Sequence, residues 1–365
     1  MLRFRKVLII LFVLQSVLSY SQKILSKKEK YKVIDRIKEL IDTQYVLANK
    51  TEIINNSLDS LKSTKKYKNI KDYRNFAEAL SEDLVTISKD QHFKIQYNPE
   101  LVSSRREERK RWQELEQIGE AENQKEVFDI NYWYSQKINF GIQKVEILEG
   151  NIGYMKLTFF DILQWAQSTI DAAMGVLANT DALIIDIRDN GGGYISASYL
   201  ASYFFDEKPT VWNIGYERPS SLRDTTYTYR EIGGQRYLKK PIYILVNKKS
   251  FSRAELFAYC MKHHNKAIIV GQTTAGASHG IDFLEMDDNF LIQLPITSSI
   301  HPVTKTDWEG IGVIPHIKTT KEETLKVAYT MILDELIASE KDQELGRHYD
   351  RLKKKYKGIK EKTTN

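Results

Sequence analysis

Apolar residues recur along this chain with two different periods, and the change from one to the other divides it. Val33, Ile34, Ile37, Leu40 and Ile41 follow a Ser26-Lys-Lys-Glu29 capping box at the spacing of one helix face. Ile54, Leu58 and Leu61 predict a second helix, and Tyr73, Phe76, Leu80, Leu84 and Ile87 a third, so residues 23–90 read as a small helical bundle. Residues 91–135 form a connecting segment whose stretch 103–126 is almost wholly charged or polar, a solvated helix or mobile insertion. From residue 136 short strand-like runs take over: Phe140 to Ile147, Ile152 to Leu157, Ala182 to Asp186, Pro241 to Val246 and Ala267 to Gly271. Helical patterns at Ile162 to Ala178, Ile195 to Phe205 and Leu256 to His264 lie between them, with a polar hairpin region before Pro241. This alternation predicts an α/β core over 136–320 with a largely parallel sheet. Leu325 to Ile337 predicts a further helix packed on that core, within a C-terminal segment 321–365 that ends in a basic tail.

Composition adds a compartment and removes several function classes. With 365 residues and 42% hydrophobic content the chain can bury a full core. Arg3, Arg5 and Lys6, the apolar run Val7 to Leu18 and the small residues around Ser19-Tyr20-Ser21 have the form of a secretory signal over residues 1–22. That predicts export to a periplasmic or extracellular space, with no stable membrane association once the signal is removed; an uncleaved anchor is the alternative. The net charge of +6 falls to +3 when the three basic residues of the signal are removed, and no aromatic-basic stripe accompanies it, so no nucleic-acid partner is expected. The lone Cys260 shares a helix face with Leu256 and reads as a small core residue that can form no intramolecular disulfide.

Two stretches carry candidate chemistry. In Val246-Asn-Lys-Lys-Ser-Phe-Ser252-Arg253-Ala-Glu255 a serine stands where a buried strand stops and a helix starts. A hydroxyl there lies beside helix N–H groups and the positive end of the helix dipole, which can stabilise an oxyanion. The same letters also spell an ordinary capping box, Ser252 to Glu255. In Asp186-Ile-Arg-Asp-Asn-Gly191-Gly192-Gly193 three glycines between strand and helix let a backbone approach a ligand closely. A plain turn, a phosphate cradle and an oxyanion-binding loop are all compatible with it, though no Lys-Ser/Thr follows and the dinucleotide spacing is missing.

The combination resembles the C-terminal-processing (tail-specific) serine peptidases, and within them the tricorn-like, interphotoreceptor retinoid-binding-like branch. Ser88-Lys-Asp-Gln91-His92, Gly150-Asn-Ile-Gly-Tyr154, the Asp186 to Gly193 loop with Ser250 to Glu255, and Asp307-Trp-Glu309-Gly-Ile-Gly-Val-Ile-Pro315 carry the likeness. It extends from about residue 30 to 320, and no segment resembles the PDZ domain of many processing peptidases. The resemblance implies a crotonase/ClpP-like α/β core with a small N-terminal helical bundle. It implies Ser252 as nucleophile, His92 as base and Glu309 as the carboxylate that orients the base. The backbone N–H of Arg253, with Gly192 or Gly193, would form the oxyanion hole. The lysine that serves as base in the processing branch falls on Ala277, which excludes a Ser-Lys dyad at that place. Gln91 stands where tricorn-type enzymes have a further serine, and Glu255 matches a motif carboxylate that can equally cap its helix.

His279, in a Gly- and Ser-rich loop after Ala277, is a substrate-contact candidate; His263 and His264 end a helix, and His301, His316 and His348 read as surface residues. None forms a His-Glu-x-x-His pattern, so neither metal nor cofactor is expected. The implied activity is hydrolysis of peptide bonds through an acyl-enzyme, on peptides or unfolded protein substrates. One rival is a non-catalytic binder of apolar ligands or peptides on the same fold; another is acyl-CoA chemistry on a crotonase-like fold. The first is disfavoured by the joint presence of Ser252, His92, Glu309 and the glycine loop, the second by the export signal.

Overall fold

The computed structural model describes residues 24–118, 130–218 and 220–357. The expected export signal, residues 119–126 of the charged insertion and the end of the basic tail lie outside them. Three helices come first: α1 (Lys27–Gln44), α2 (Thr51–Ser63) and α3 (Tyr73–Ser88). The α1 capping box forms as expected, with the Ser26 amide donating to Glu29 Oε2 at 2.8 Å and the Glu29 amide to Ser26 Oγ at 3.2 Å. There follow β1 (Lys94–Tyr97), α4 (Pro99–Ile118), α5 (Ile130–Lys137), β2 (Ile142–Leu148), β3 (Ile152–Leu157), α6 (Leu163–Leu177), β4 (Ala182–Asp186) and α7 (Ser196–Ser202). The polar region is a hairpin, β5 (Val211–Glu217) and β6 (Arg223–Tyr227), before β7 (Ile242–Val246), α8 (Arg253–His263) and β8 (Ile268–Gly271). Then come β9 (Gly280–Glu285), β10 (Phe290–Ile300), β11 (Ile317–Lys318), α9 (Thr324–Ser339) and α10 (Gln343–Lys357).

These strands form two sheets. One has the order β11-β8-β7-β4-β3-β2, parallel except for β2 at its edge. Successive side chains of its strands face opposite layers: Leu183 and Ile185 of β4 join a core with α6, α7 and α8, while Ala182 and Ile184 join another with α9 and α10. Coverage on both faces is what a parallel sheet of near-continuous apolar strands requires. The other sheet is antiparallel, with β10 at its centre pairing with β1, β9 and β5, and β6 outside β5.

The apolar stripes of α1, α2 and α3 close on this second sheet. Val33, Ile37, Ile41, Phe76 and Leu80 share one core with Phe93, Ile95, Phe290, Ile292 and Leu294. Residues from both ends of the chain thus build the unit that presents the loop between α3 and β1.

Three peripheral expectations are revised. The described part of the charged insertion is the docked helix α4: Arg106 and Arg109 donate to Glu285 at 2.8 and 2.7 Å, beside the turn between β9 and β10. The described part of the basic tail, read from its Lys- and Arg-rich sequence as a solvated helix, is partly packed, with Leu352 buried and the Tyr356 ring stacked 4.0 Å from that of Tyr329. His301 is buried rather than at the surface, because β10 delivers it against Tyr259 and His264 of α8. Cys260 is fully buried, and among the described residues no helix is long and apolar enough to cross a membrane.

Candidate active site

The turn between β7 and α8 is held from several directions. Ser250 Oγ donates to the Ile187 carbonyl at 2.8 Å, and the Phe251 amide to the Asn190 carbonyl at 3.0 Å. The turn is therefore stitched to the glycine loop that follows β4. Ser252 takes φ 51° and ψ −114°, a backbone state that L residues rarely adopt and that persists only where the surroundings enforce it. Part of that enforcement is Glu255. Its fully buried carboxylate accepts from the Ser252 amide at 2.8 Å, Thr274 Oγ1 at 2.5 Å, the Gly276 amide at 2.6 Å and the Ala277 amide at 2.9 Å. Burial pushes its carboxyl pKa up, and the Thr274 and amide donors oppose the shift.

Gly192 and Gly193 stand beside this serine. A Cβ on Gly192 would come within 3.0 Å of Ser252 Cβ and Arg253 N, and one on Gly193 within 1.9 Å of the Phe160 carbonyl oxygen. Both have φ in the left-handed region, so glycine is the residue that fits. The Gly192 amide is already used, donating to Asn190 Oδ1 at 2.8 Å. Gly193 lies at the centre of a parallel bridge to Phe160, formed by the Gly192 carbonyl and the Tyr194 amide, which turns its own N–H away. Among the described residues neither the Gly193 nor the Arg253 N–H has a partner. Of the expected donors these two are available and Gly192 is not.

His92 enters from the loop between α3 and β1. Its ring packs 5.3 Å from that of Phe251, the residue before Ser252, and its carbonyl accepts from Gln293 Nε2 of β10 at 2.8 Å. The carboxylate on its ring is Asp90, not Glu309. Asp90 Oδ1 accepts from both the amide and Nδ1 of His92 at 3.0 Å, an Asx turn that fixes loop and imidazole together. With Nδ1 as donor, Nε2 is the acceptor nitrogen; it is buried and unpartnered among the described residues. Asp90 Oδ2 accepts from His279 Nδ1 at 2.7 Å and from the Tyr45 hydroxyl at 3.2 Å. Burial works against ionisation of Asp90, but the His279 and His92 hydrogen bonds outweigh it and hold the carboxyl far below its ordinary range.

Glu309 lies behind His279. Its Oε2 accepts from the Ser278 and His279 amides at 2.6 and 3.3 Å and sits 3.7 Å from His279 Nδ1. Burial raises its pKa, with the His279 charge opposing. His279, expected as a substrate contact, is buried, with its Nδ1 bonded to Asp90 and its amide donating to Glu309. Gln91 is exposed and takes no part in the cluster.

Asp90 was legible as the middle of Ser88-Lys-Asp90-Gln-His92: an Asp two residues before a His is the Asx-turn spacing. Ligand atoms of Asp90, His92, His279 and Glu309 lie within 4.8 Å of one another, close enough for a cation. Each histidine Nδ1 already donates to Asp90, however, so protons account for these contacts. The joint arrangement suits proton transfer from a serine hydroxyl and stabilisation of a developing oxyanion.

Comparison with known proteins agrees with this chemistry. Peptidase family S41 matches residues 151–319, and the N-terminal domain of Peptidase_S41 in eukaryotic IRBP matches residues 14–130. Carboxyl-terminal-processing peptidase 2, chloroplastic, of Arabidopsis thaliana is 28% identical over 167 residues, covering 45% of this chain and 31% of that protein. The match thus spans about a third of that curated relative's own length. In fold, the chain resembles a solved protein from Parabacteroides merdae with a TM-score of 0.57 at 17% identity, covering 84% of this chain and 97% of the other. A photosystem II D1 C-terminal processing protease gives 0.50 at 14% identity, covering 80% and 92%.

Proposed function

The chain belongs to peptidase family S41, and from that premise we propose that it is an exported serine peptidase that cleaves peptides or unfolded polypeptide ends through an acyl-enzyme. Ser252 is the nucleophile. Its hydroxyl proton passes to His92 Nε2 as Oγ attacks the scissile carbonyl, and His92 returns that proton to the leaving amine. Asp90 holds the tautomer this requires by keeping the Nδ1 proton. The N–H groups of Gly193 and Arg253 receive the oxyanion, each worth about 3 kcal/mol of transition-state stabilisation. The observation that carries the reading is the strained serine turn with two unused amide donors next to a buried histidine whose Nδ1 is anchored and whose Nε2 is not. Ala277, with no side chain to act as base, favours histidine over lysine in that role. Export rests on the sequence of residues 1–22, and the organisation into a helical unit 23–90 and a core 136–320 belongs to the same proposal.

The test is covalent labelling of the protein lacking residues 1–21 with a fluorophosphonate, beside Ser252→Ala and His92→Ala. Labelling of the parent that vanishes with Ser252→Ala and falls at least 100-fold with His92→Ala is expected. A folded parent that takes no label sinks the peptidase reading and promotes the binder of apolar ligands or peptides.

A further inference from the structure

The role of His279 is open once it is seen to be buried. We propose that His279 is a permanently charged positioning residue, an imidazolium held between Asp90 and Glu309, that acts through Asp90 to orient His92 and set its strength as a base. This rests on the reading of His92 as the base of an acyl-transfer site.

The geometry points to it in three steps. Asp90, buried, and Glu309, partly buried, bring two carboxylates into one cluster, and among the described residues no lysine or arginine pairs with either. Two such charges need a cation between them. His92 has to stay neutral to accept the serine proton, which leaves His279, whose Nδ1 stands 2.7 Å from one carboxylate and 3.7 Å from the other. Second, Asp90 is saturated: Oδ1 takes both His92 donors while Oδ2 takes His279 and Tyr45. A carboxylate with both oxygens clamped cannot rotate, so the imidazole it carries cannot either. Third, Glu309 grips the backbone of the loop at Ser278 and His279, which fixes where the cation sits.

Burial alone would discharge His279, yet its hydrogen bond to Asp90 and the nearby Glu309 and Asp307 raise its pKa instead. The charged and titratable groups facing it are thus Asp90, Glu309, His92 and Asp307, with the Tyr45 hydroxyl on Asp90. The device has a functional consequence. His279 bonds the far oxygen of the same carboxylate that holds His92 Nδ1, so its charge reaches the imidazole through Asp90.

Two measurements on the intact protein test this. Nitrogen-15 spectra of histidine-labelled protein, with the His279 signals identified by their loss in His279→Asn, are expected to show both ring nitrogens protonated at pH 7.5. A neutral His279 at that pH overturns the proposal. Separately, fluorophosphonate labelling rates are followed against pH. The acid limb of the profile is expected to move up by about one pH unit in His279→Asn and down in Asp90→Asn. A fall in rate with no displacement of the limb, or displacement in the same direction in both, overturns it as well. If the parent does not label at all, the peptidase reading fails, while the spectra still decide the charge on His279.

Discussion

At the scale of single residues, the assignment of Glu255 is where sequence and structure part most usefully. Its position three residues after Ser252 fits both a catalytic carboxylate and a helix cap, and the letters alone do not choose. The structure gives it four donors, two on each oxygen, from the serine turn and from the loop at Thr274 to Ala277. It is the peg on which the strained backbone of Ser252 hangs. Glu255→Gln is therefore expected to be nearly as harmful as Glu255→Ala, since an amide nitrogen would face two donors where an oxygen had accepted both. Either should cost about 3 kcal/mol of stability and abolish labelling of Ser252, checked by urea unfolding beside the fluorophosphonate assay. Preserved stability with Gln would refute this role. Ser252, His92 and the glycine loop were expected as a set only through the family resemblance, since the letters around Ser252 fit an ordinary cap equally well. Asp90 had only its spacing to His92 to mark it, because its other partners, Tyr45 and His279, lie 45 and 189 residues away in the chain.

Among the elements, β10 does the most to assemble the site. Phe290-Leu-Ile-Gln-Leu-Pro-Ile296 is an apolar run as strand-like as any in the chain, yet it lies beyond the last strand drawn from the periodicity, which stopped at Gly271. The regular alternation of strand and helix suggested one sheet; a second sheet made of β1, β5, β6, β9 and β10 depends on pairings that local pattern does not encode. Along β10, Ile292 faces α1–α3 while Gln293 holds the His92 carbonyl at 2.8 Å. These neighbours should separate experimentally. Ile292→Ala is expected to lower stability by about 3 kcal/mol by opening a cavity in the shared core. Gln293→Ala is expected to change stability by no more than about 1 kcal/mol while slowing labelling several-fold, because the loop carrying His92 loses its anchor. Unfolding curves and labelling rates for both variants check this, and equal effects on both readouts would count against it.

For the molecule as a whole, the two sheets are joined by more than the active site. His301, at the end of β10, packs on Tyr259, His263 and His264 of α8, which belongs to the other layer. Its Nδ1 accepts from the Val303 and Thr304 amides at 3.3 Å, so it must be neutral there. Burial, with the neighbouring His264, His263 and Lys305, lowers its pKa from 6.5 to about 4. The unfolded chain then binds a proton that the folded one refuses, so stability falls as pH drops from 6.5 towards 4; the contribution at pH 4.5 is about 2 kcal/mol. His301→Gln should flatten the dependence of the urea midpoint on pH between 7 and 4.5, and an unchanged slope would show that the joint does not sense acid. That joint was not readable beforehand, since a histidine after the polar Thr297-Ser-Ser299 end of a strand looks exposed until its sheet is known. The same architecture bears on when the proposed site forms. The loop carrying Asp90 and His92 leads into one sheet and the Ser252 turn follows a strand of the other, so the proposed set assembles only when both layers are in place. On the proposed mechanism, activity then waits for both layers to close on one another.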